Sequence, residues 1–448
     1  MMKESSILED RLLPLMEIAS SLPEDFNKVE RMLKMIPEER RGMIGGFMDP
    51  ERYKIGISAM KAFATYIKNL QCGRNEGKKV LLHSLNFPPE IFHAMDVAPF
   101  FTGLLTTLVI NMFPDGAEKY IDYCHELGLS DSLCSSQLGG VGAIFNGEEK
   151  KPDIILSGAP GSCDVNAKLF EYCAKTWNVP LLQIDTPAYG DERGLDYYKT
   201  AFRGVISDLE DLTGQKLDPD RLREVVECSN KVTELYHEIN DLRRVEPCPV
   251  PNMYSFMSYG MKFTMVGKPE AVPFFQATLD SAKKKVKKGE GVLAEERVRS
   301  LWIYTSIYFD PEFLGWLDEI GMVLLTDVLG WFTTGPINTI STDTMIDGLS
   351  EEAFNFPMTR QMRGPWDAPN NWADDIVFLA KRFNADCCIF SGHLACKRTW
   401  GSFKLVSDIV KEEVGIPTLR LEADSWDKRI TSTPVIKGKI EDFLDMIL

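Results

Sequence analysis

Three short segments recur in the same order in the two halves of this chain, and that recurrence limits its fold more than any other feature. Residues 80–90 (VLLHSLNFPPE) match 300–312 (SLWIYTSIYFDPE): an apolar run, then Ser, then Phe-x-Pro-Glu. Residues 153–163 (DIILSGAPGSC) match 386–396 (DCCIFSGHLAC), an apolar run followed by Ser-Gly and a short loop ending in Cys. Residues 179–185 (VPLLQID) match 416–422 (IPTLRLE). One such match arises easily by chance, but three in order do not. Short apolar runs separated by amphipathic helical stretches are the pattern of a parallel α/β sheet. The repeat therefore predicts two similar α/β lobes of parallel-sheet, flavodoxin- or Rossmann-like type, facing each other across a cleft.

The remaining chain fits around these lobes. Residues 1–75 carry apolar positions at helical spacing (Ile7, Leu8, Leu12, Leu15, Met16) and read as a helical N-terminal extension. Strands are expected at 80–82, 154–156 and 181–184. A helix from Asp164 has Val165, Leu169, Phe170, Cys173 and Trp177 on one face. A long helix over 219–244 stops at Pro247-Cys248-Pro249-Val250-Pro251, because proline removes a donor and clashes with the preceding turn. The expected organisation is a helical extension (1–75), a first α/β domain (76–246), a helical linker region (247–297) and a second α/β domain (298–448).

Charge and composition exclude several functions. A net charge of −16 argues against nucleic acid, whose binders present a basic face. The one dense basic run, Lys283-Lys284-Lys285-Val286-Lys287-Lys288, reads as a solvated helix end. No apolar run reaches the ~18 residues of a membrane span, and the acidic N-terminus is unlike a signal peptide; a cytoplasmic location is expected. There is no GxxxxGK[ST] loop for ATP and no HExxH among five histidines. Gly139-Gly140-Val141-Gly142 lacks the strand–turn–helix setting of a dinucleotide site. The turn 157–162 reads equally as a tight strand-to-helix connection or as a close backbone approach to a ligand.

Ten cysteines in such a chain are buried thiols, reactive thiols or metal ligands, not a disulfide framework. Cys387 and Cys388 fall inside an apolar run and read as buried strand residues. Cys163 and Cys396 occupy the same place in each repeat, just past a strand and before a helix, where open parallel sheets bind ligands. Cys134 lies in another loop, Ser130-Asp131-Ser132-Leu133-Cys134. Three thiolates from three separate loops suit a cluster better than a zinc knuckle, although by spacing alone they read more readily as loop thiols with no ligand role.

At these residues the chain resembles the catalytic, D-component-type larger subunit of the 2-hydroxyacyl-CoA dehydratase and benzoyl-CoA reductase family. The resemblance runs from about residue 78 to the end. Its motifs are His83-Ser84-Leu85-Asn86-Phe87-Pro88-Pro89-Glu90, Asp131-Ser132-Leu133-Cys134, Cys163-Asp164 with Lys168, His393-Leu394-Ala395-Cys396-Lys397, Ile416-Pro417-Thr418 and Glu422-Ala423-Asp424. It implies a [4Fe–4S] cluster held by Cys134, Cys163 and Cys396, with one open iron. It also implies a homologous second subunit, forming a heterodimer, and a separate ATP-hydrolysing iron–sulfur activator that injects one electron. The substrate would be an acyl-CoA. In the dehydratases the electron makes a ketyl radical anion that expels the 2-hydroxyl group; the reductases drive electrons into an aromatic ring.

By the same resemblance Glu90 is the active-site carboxylate, acid or base, and Ser84 a hydrogen-bond donor to the thioester oxygen. For Ser84 a strand-end hydroxyl serving the backbone is the competing reading. His83 reads as a packed or surface side chain, and His393 lies near the cluster with no assigned role. Two departures bear on substrate rather than fold: the segment 135–140 lacks an arginine that dehydratases often place there, and the loop before Cys396 is shorter than in some of them. The functional expectation is a subunit of an (R)-2-hydroxyacyl-CoA dehydratase. The alternatives are an aromatic acyl-CoA reductase subunit, an electron-relay subunit whose cluster has a fourth ligand such as Cys124 or Cys388, and a two-lobed binding protein without metal.

Overall fold

The computed structural model describes residues 6–23, 25–34, 50–85, 87–113, 116–158, 163–310, 312–332, 334–363, 368–392 and 394–448. Two four-stranded, all-parallel sheets form its frame. The first contains β1 (Val80–His83), β2 (Ala98–Phe100), β3 (Ile154–Gly158) and β4 (Leu181–Ile184) in the order β2-β1-β3-β4. The second contains β5 (Val298–Ile303), β6 (Met322–Asp327), β7 (Cys387–Phe390) and β8 (Thr418–Arg420) in the order β6-β5-β7-β8. The two lobes thus share one topology, as the repeat predicts. The registers agree as well: Ile155 faces Leu181 in the first sheet, and Cys388 faces Thr418 in the second. These are the pairs that the segment matches set equivalent.

The inner strands are buried along their length, which is why they read as unbroken apolar runs rather than alternating ones. The three-residue β2 contains Pro99 and sits at a sheet edge, where the missing N–H costs no ladder bond. In each sheet the strand order reverses between the first and third strands (β1/β3 and β5/β7), so the crevice at their carboxyl ends is the expected ligand position.

The lobes are fused through a common core. One apolar cluster runs from Ile7 through both sheets to Leu444. A second packs Ile337, Met345, Leu349 and Phe354 of the second half against Leu81, Phe92 and Tyr198 of the first. Residues 253–288 form two helices, Met253–Thr264 and Val272–Lys288, whose inner faces are buried in the same core. In the N-terminal segment Ile7, Leu8, Leu12 and Met16 are buried as expected, but Leu15 is exposed. The helix there turns its face around Leu12, Leu13 and Met16, which carries Leu15 to the outside. No helix among the described residues is long and apolar enough to cross a membrane.

Candidate functional site

Each of the three singled-out cysteines is the residue immediately before a helix. Cys134 precedes Ser135–Phe145, Cys163 precedes Asp164–Trp177 and Cys396 precedes Lys397–Glu413. Cys163 follows β3 and Cys396 follows β7, at the reversal points of the two sheets. All three line one cavity of about 330 Å³, with Leu85, Phe101, Tyr259, Tyr304 and Trp426 among its walls. All ten cysteines are free thiols.

The electrostatics of the three thiols follow from this placement. Burial pushes the Cys134 thiol well above its ordinary value, and Cys163 adds to the shift. Burial pushes Cys163 up to about 11, and Cys396 adds to it. The amides of Gln137, for Cys134, and of Asn166 and Val165, for Cys163, pull the other way. Cys396 lies 2.9 Å from the Thr399 hydroxyl. The partly positive ends of three helices meet at the three sulfurs, but at Cys134 and Cys163 burial outweighs their pull. Among the described residues no three His, Cys, Asp or Glu side chains close on a point as a single-ion site requires. Cys134, Cys163 and Cys396 share one cavity and are the residues that could hold a group there. Cys124 and Cys388 are buried away from the cavity: Cys124 bonds the Leu138 carbonyl, and Cys388 lies in β7 beside Thr418.

Several residues to which the sequence reading gave no role complete the site. Counting along the registers, Tyr304 stands in the second lobe where Leu85 stands in the first, and both are cavity walls. Tyr304 has φ 87°, a strained conformation for a residue with a side chain, and interacts with all three thiols. Gly392, at φ +132°, makes this possible, since a Cβ there would overlap the Tyr304 ring. Gly392→Ala is expected to destabilise the fold by about 2–4 kcal/mol, through backbone strain and overpacking together, and to displace Tyr304; denaturant unfolding checks it. Asp424 accepts hydrogen bonds from Ser135 Oγ at 2.6 Å and from the Trp426 and Asp427 amides at 3.0 Å, tying the loop after β8 to the helix that Cys134 opens.

Glu90 and Ser84 do not line the cavity. The intervening Leu85 does, and it also walls a small neighbouring cavity of about 20 Å³ beside Lys262 and Glu352. Ser84 is fully buried, and its amide donates to the Leu156 carbonyl. Glu90 is fully buried; Ser229 donates to its Oε1 at 2.7 Å, and its Oε2 has no partner among the described residues. Burial pushes the Glu90 carboxyl up to about 7, against the pull of Lys262. Lys262 is paired with Glu352 in the same buried group. His83 is packed between Phe92 and Phe101, and His393 lies outside the described residues, as do 159–162.

The Glu90 shift has a defined sign. The folded state holds a proton that the unfolded chain releases near 4.5, so the stabilisation is complete below that pH and is lost as pH rises through about 7. The loss is on the order of 3 kcal/mol. Glu90→Gln is expected to flatten this part of the profile. Asp327 and Asp424 are raised by burial too, so the difference between wild type and variant isolates Glu90. Urea unfolding of both proteins from pH 4.5 to 8 tests it.

Comparison with known proteins decides the family. The family model for "2-hydroxyglutaryl-CoA dehydratase, D-component" matches residues 84–447. The chain belongs to this family. It is 22% identical to the (R)-phenyllactyl-CoA dehydratase alpha subunit of Clostridium sporogenes over 84% of this chain and 91% of that one. It is also 22% identical to a benzoyl-CoA reductase subunit of Thauera aromatica, over 71% and 78% of the two chains. A third relative, the (R)-2-hydroxyisocaproyl-CoA dehydratase alpha subunit of Clostridioides difficile, is 23% identical over 50% and 57%. Family membership makes the chain a dehydratase or related acyl-CoA reductase component, as its motifs imply.

Proposed function

We propose that this chain is the iron–sulfur subunit of an (R)-2-hydroxyacyl-CoA dehydratase, which removes water from a 2-hydroxyacyl-CoA by way of a ketyl radical after an ATP-dependent activator delivers one electron. The observation that carries the proposal is the meeting of Cys134, Cys163 and Cys396 at one cavity, each at the start of a helix and two of them at the ends of equivalent strands. A [4Fe–4S] cluster held there would supply an electron store and, at an iron with no protein ligand, a Lewis acid for the 2-hydroxyl oxygen.

The rest of the chemistry belongs to the chain. Leu85, Phe101, Tyr304 and Trp426 are buried walls that keep bulk water from a radical. Burial keeps the Tyr304 phenol neutral, so it stands at the cavity as a hydrogen-bond donor. Glu90 is buried outside the cavity lining, its Oε2 without a partner among the described residues, and is the carboxyl we assign to proton transfer. Lys168, Lys397 and Arg398 stand at the cavity in a chain of net charge −16 and suit the phosphates of a CoA ester. The relatives are each named as one subunit of a larger enzyme, which favours a partner subunit here; we take that partner to be homologous.

The likeness to a benzoyl-CoA reductase subunit supports a second reading, reduction of an aromatic acyl-CoA. The two differ in electron demand. An anaerobic assay with the activator, counting reductant consumed per product, is expected to show far fewer than one electron per turnover for a dehydratase. Stoichiometric consumption would establish the reductase reading instead.

A further inference from the structure

The three cavity sulfurs differ in what supports them. Cys134 draws on the Gln137 amide, and Cys163 on the amides of Asn166 and Val165. At Cys396 a side chain takes this part: the Thr399 hydroxyl stands 2.9 Å from Sγ. We propose that Thr399 is a positioning residue whose hydroxyl, with the Tyr304 phenol, donates to the Cys396 sulfur and raises the reduction potential of an iron–sulfur cluster held there. The proposal rests on the iron–sulfur reading above and adds to it the residues that set the energy of the stored electron.

The placement of the Thr399 hydroxyl is the first support. A helical threonine ordinarily turns its hydroxyl back to the carbonyl four residues before it. Thr65, Thr107, Thr200 and Thr278 do so in this chain. Thr399 is the third residue of Lys397–Glu413, so the carbonyl four back belongs to Ala395, outside the helix. Its hydroxyl meets instead the side chain of the residue that opens the helix. Thr344 holds the same place in Thr342–Asn355, where it caps the helix by pairing with Ser341. At Thr399 the partner is a sulfur of the cysteine cavity. Thr399 is fully buried and does not wall the cavity, so its hydroxyl is shielded from solvent.

Chemistry fixes the direction of the bond. Between a thiol and a hydroxyl either atom can donate. A cysteine that binds metal does so as the thiolate and has no proton to give, so Thr399 becomes the donor. A hydrogen bond to a thiolate draws charge from the sulfur and favours the state with the extra electron, and such bonds are one of the levers on cluster potential. The Tyr304 side chain is hydrogen-bonded with Cys396 as well, and its backbone is held at φ 87° against Gly392. Two hydroxyls therefore converge on one sulfur.

Redox titration of the full chain, reconstituted with iron and sulfide without oxygen and read by electron paramagnetic resonance, tests this. Thr399→Val keeps the branched shape and removes the hydroxyl. At the potential where the wild-type cluster is half reduced, it is expected to lower the reduced-to-oxidised ratio about tenfold, which for one electron is about 59 mV. Thr399→Ser, which retains a hydroxyl, is expected to stay near the wild-type ratio, and Tyr304→Phe to shift in the same direction as Thr399→Val. Thr344→Val loses the equivalent hydroxyl at another helix start and is expected to cost stability without moving the ratio. An unchanged ratio in Thr399→Val with full iron content, or a shift in Thr399→Ser or Thr344→Val as large as that in Thr399→Val, would overturn the proposal. So would loss of iron from Thr399→Val together with no shift in Tyr304→Phe. Wild-type protein that takes up neither iron nor sulfide would overturn the iron–sulfur reading itself, a failure distinct from the others.

Discussion

Alanine in place of Cys134, Cys163 or Cys396 is expected to strip iron from the anaerobically purified protein and to lower turnover by more than about 100-fold. That exceeds the 10- to 100-fold cost of losing a contact that merely supports a metal ligand. Each thiol comes from a different loop, so no neighbouring cysteine is placed to substitute for it. Cys124→Ala and Cys388→Ala serve as controls at fully buried thiols and are expected to keep full iron content, because neither sulfur lines the cavity. Iron content, the visible absorbance of the cluster and far-UV circular dichroism on all five variants separate ligand loss from misfolding. Iron retention in any of the three cavity variants would remove that residue from the ligand set.

The second large effect is expected at Lys262. Its ammonium is buried, paired with Glu352, 4.5 Å from the centre of the Phe332 ring, and within electrostatic reach of Glu90. Lys262→Met keeps the packing of the stem but leaves carboxyl groups without their cation, and breaking a buried pair in this way costs about 3–5 kcal/mol. Removing both partners in Lys262→Met/Glu352→Leu is expected to restore most of that loss, since apolar replacement of a buried pair is often neutral. Urea unfolding of the two single variants and the double variant gives the coupling directly. Additive losses would mean that the two side chains do not act as a pair. Glu90 is expected to lose part of its cationic stabilisation in the Lys262 variant and so to protonate at still higher pH.

Much of this architecture was legible because β1, β3, β5 and β7 are buried along their length and so repeat as apolar runs, with loops that end in the same residue types. The half-exposed β4 and β8 stand out instead through the matched segments 179–185 and 416–422. The edge strands β2 and β6 did not: β2 has three residues and a proline, and β6 was never set apart from its surroundings by the segment matches. The cavity was legible in outline, since Cys163 and Cys396 fall at equivalent strand ends. Its aromatic walls were not. Tyr304 is recognisable only once the register places it opposite Leu85, and Tyr259 comes from a helix in the stretch read as a linker. Lys262 and Glu352 lie 90 residues apart and meet only in the folded chain, so no local pattern could announce them. Glu90 and Ser84 came from resemblance alone, and both sit behind the cavity wall rather than on it.

The central claim, that three cysteines hold a four-iron cluster, is tested most directly by iron and acid-labile sulfide analysis of protein purified and reconstituted without oxygen. The account predicts about four irons and four sulfides per chain. A chain that still binds neither after reconstitution, while remaining folded, would contradict it.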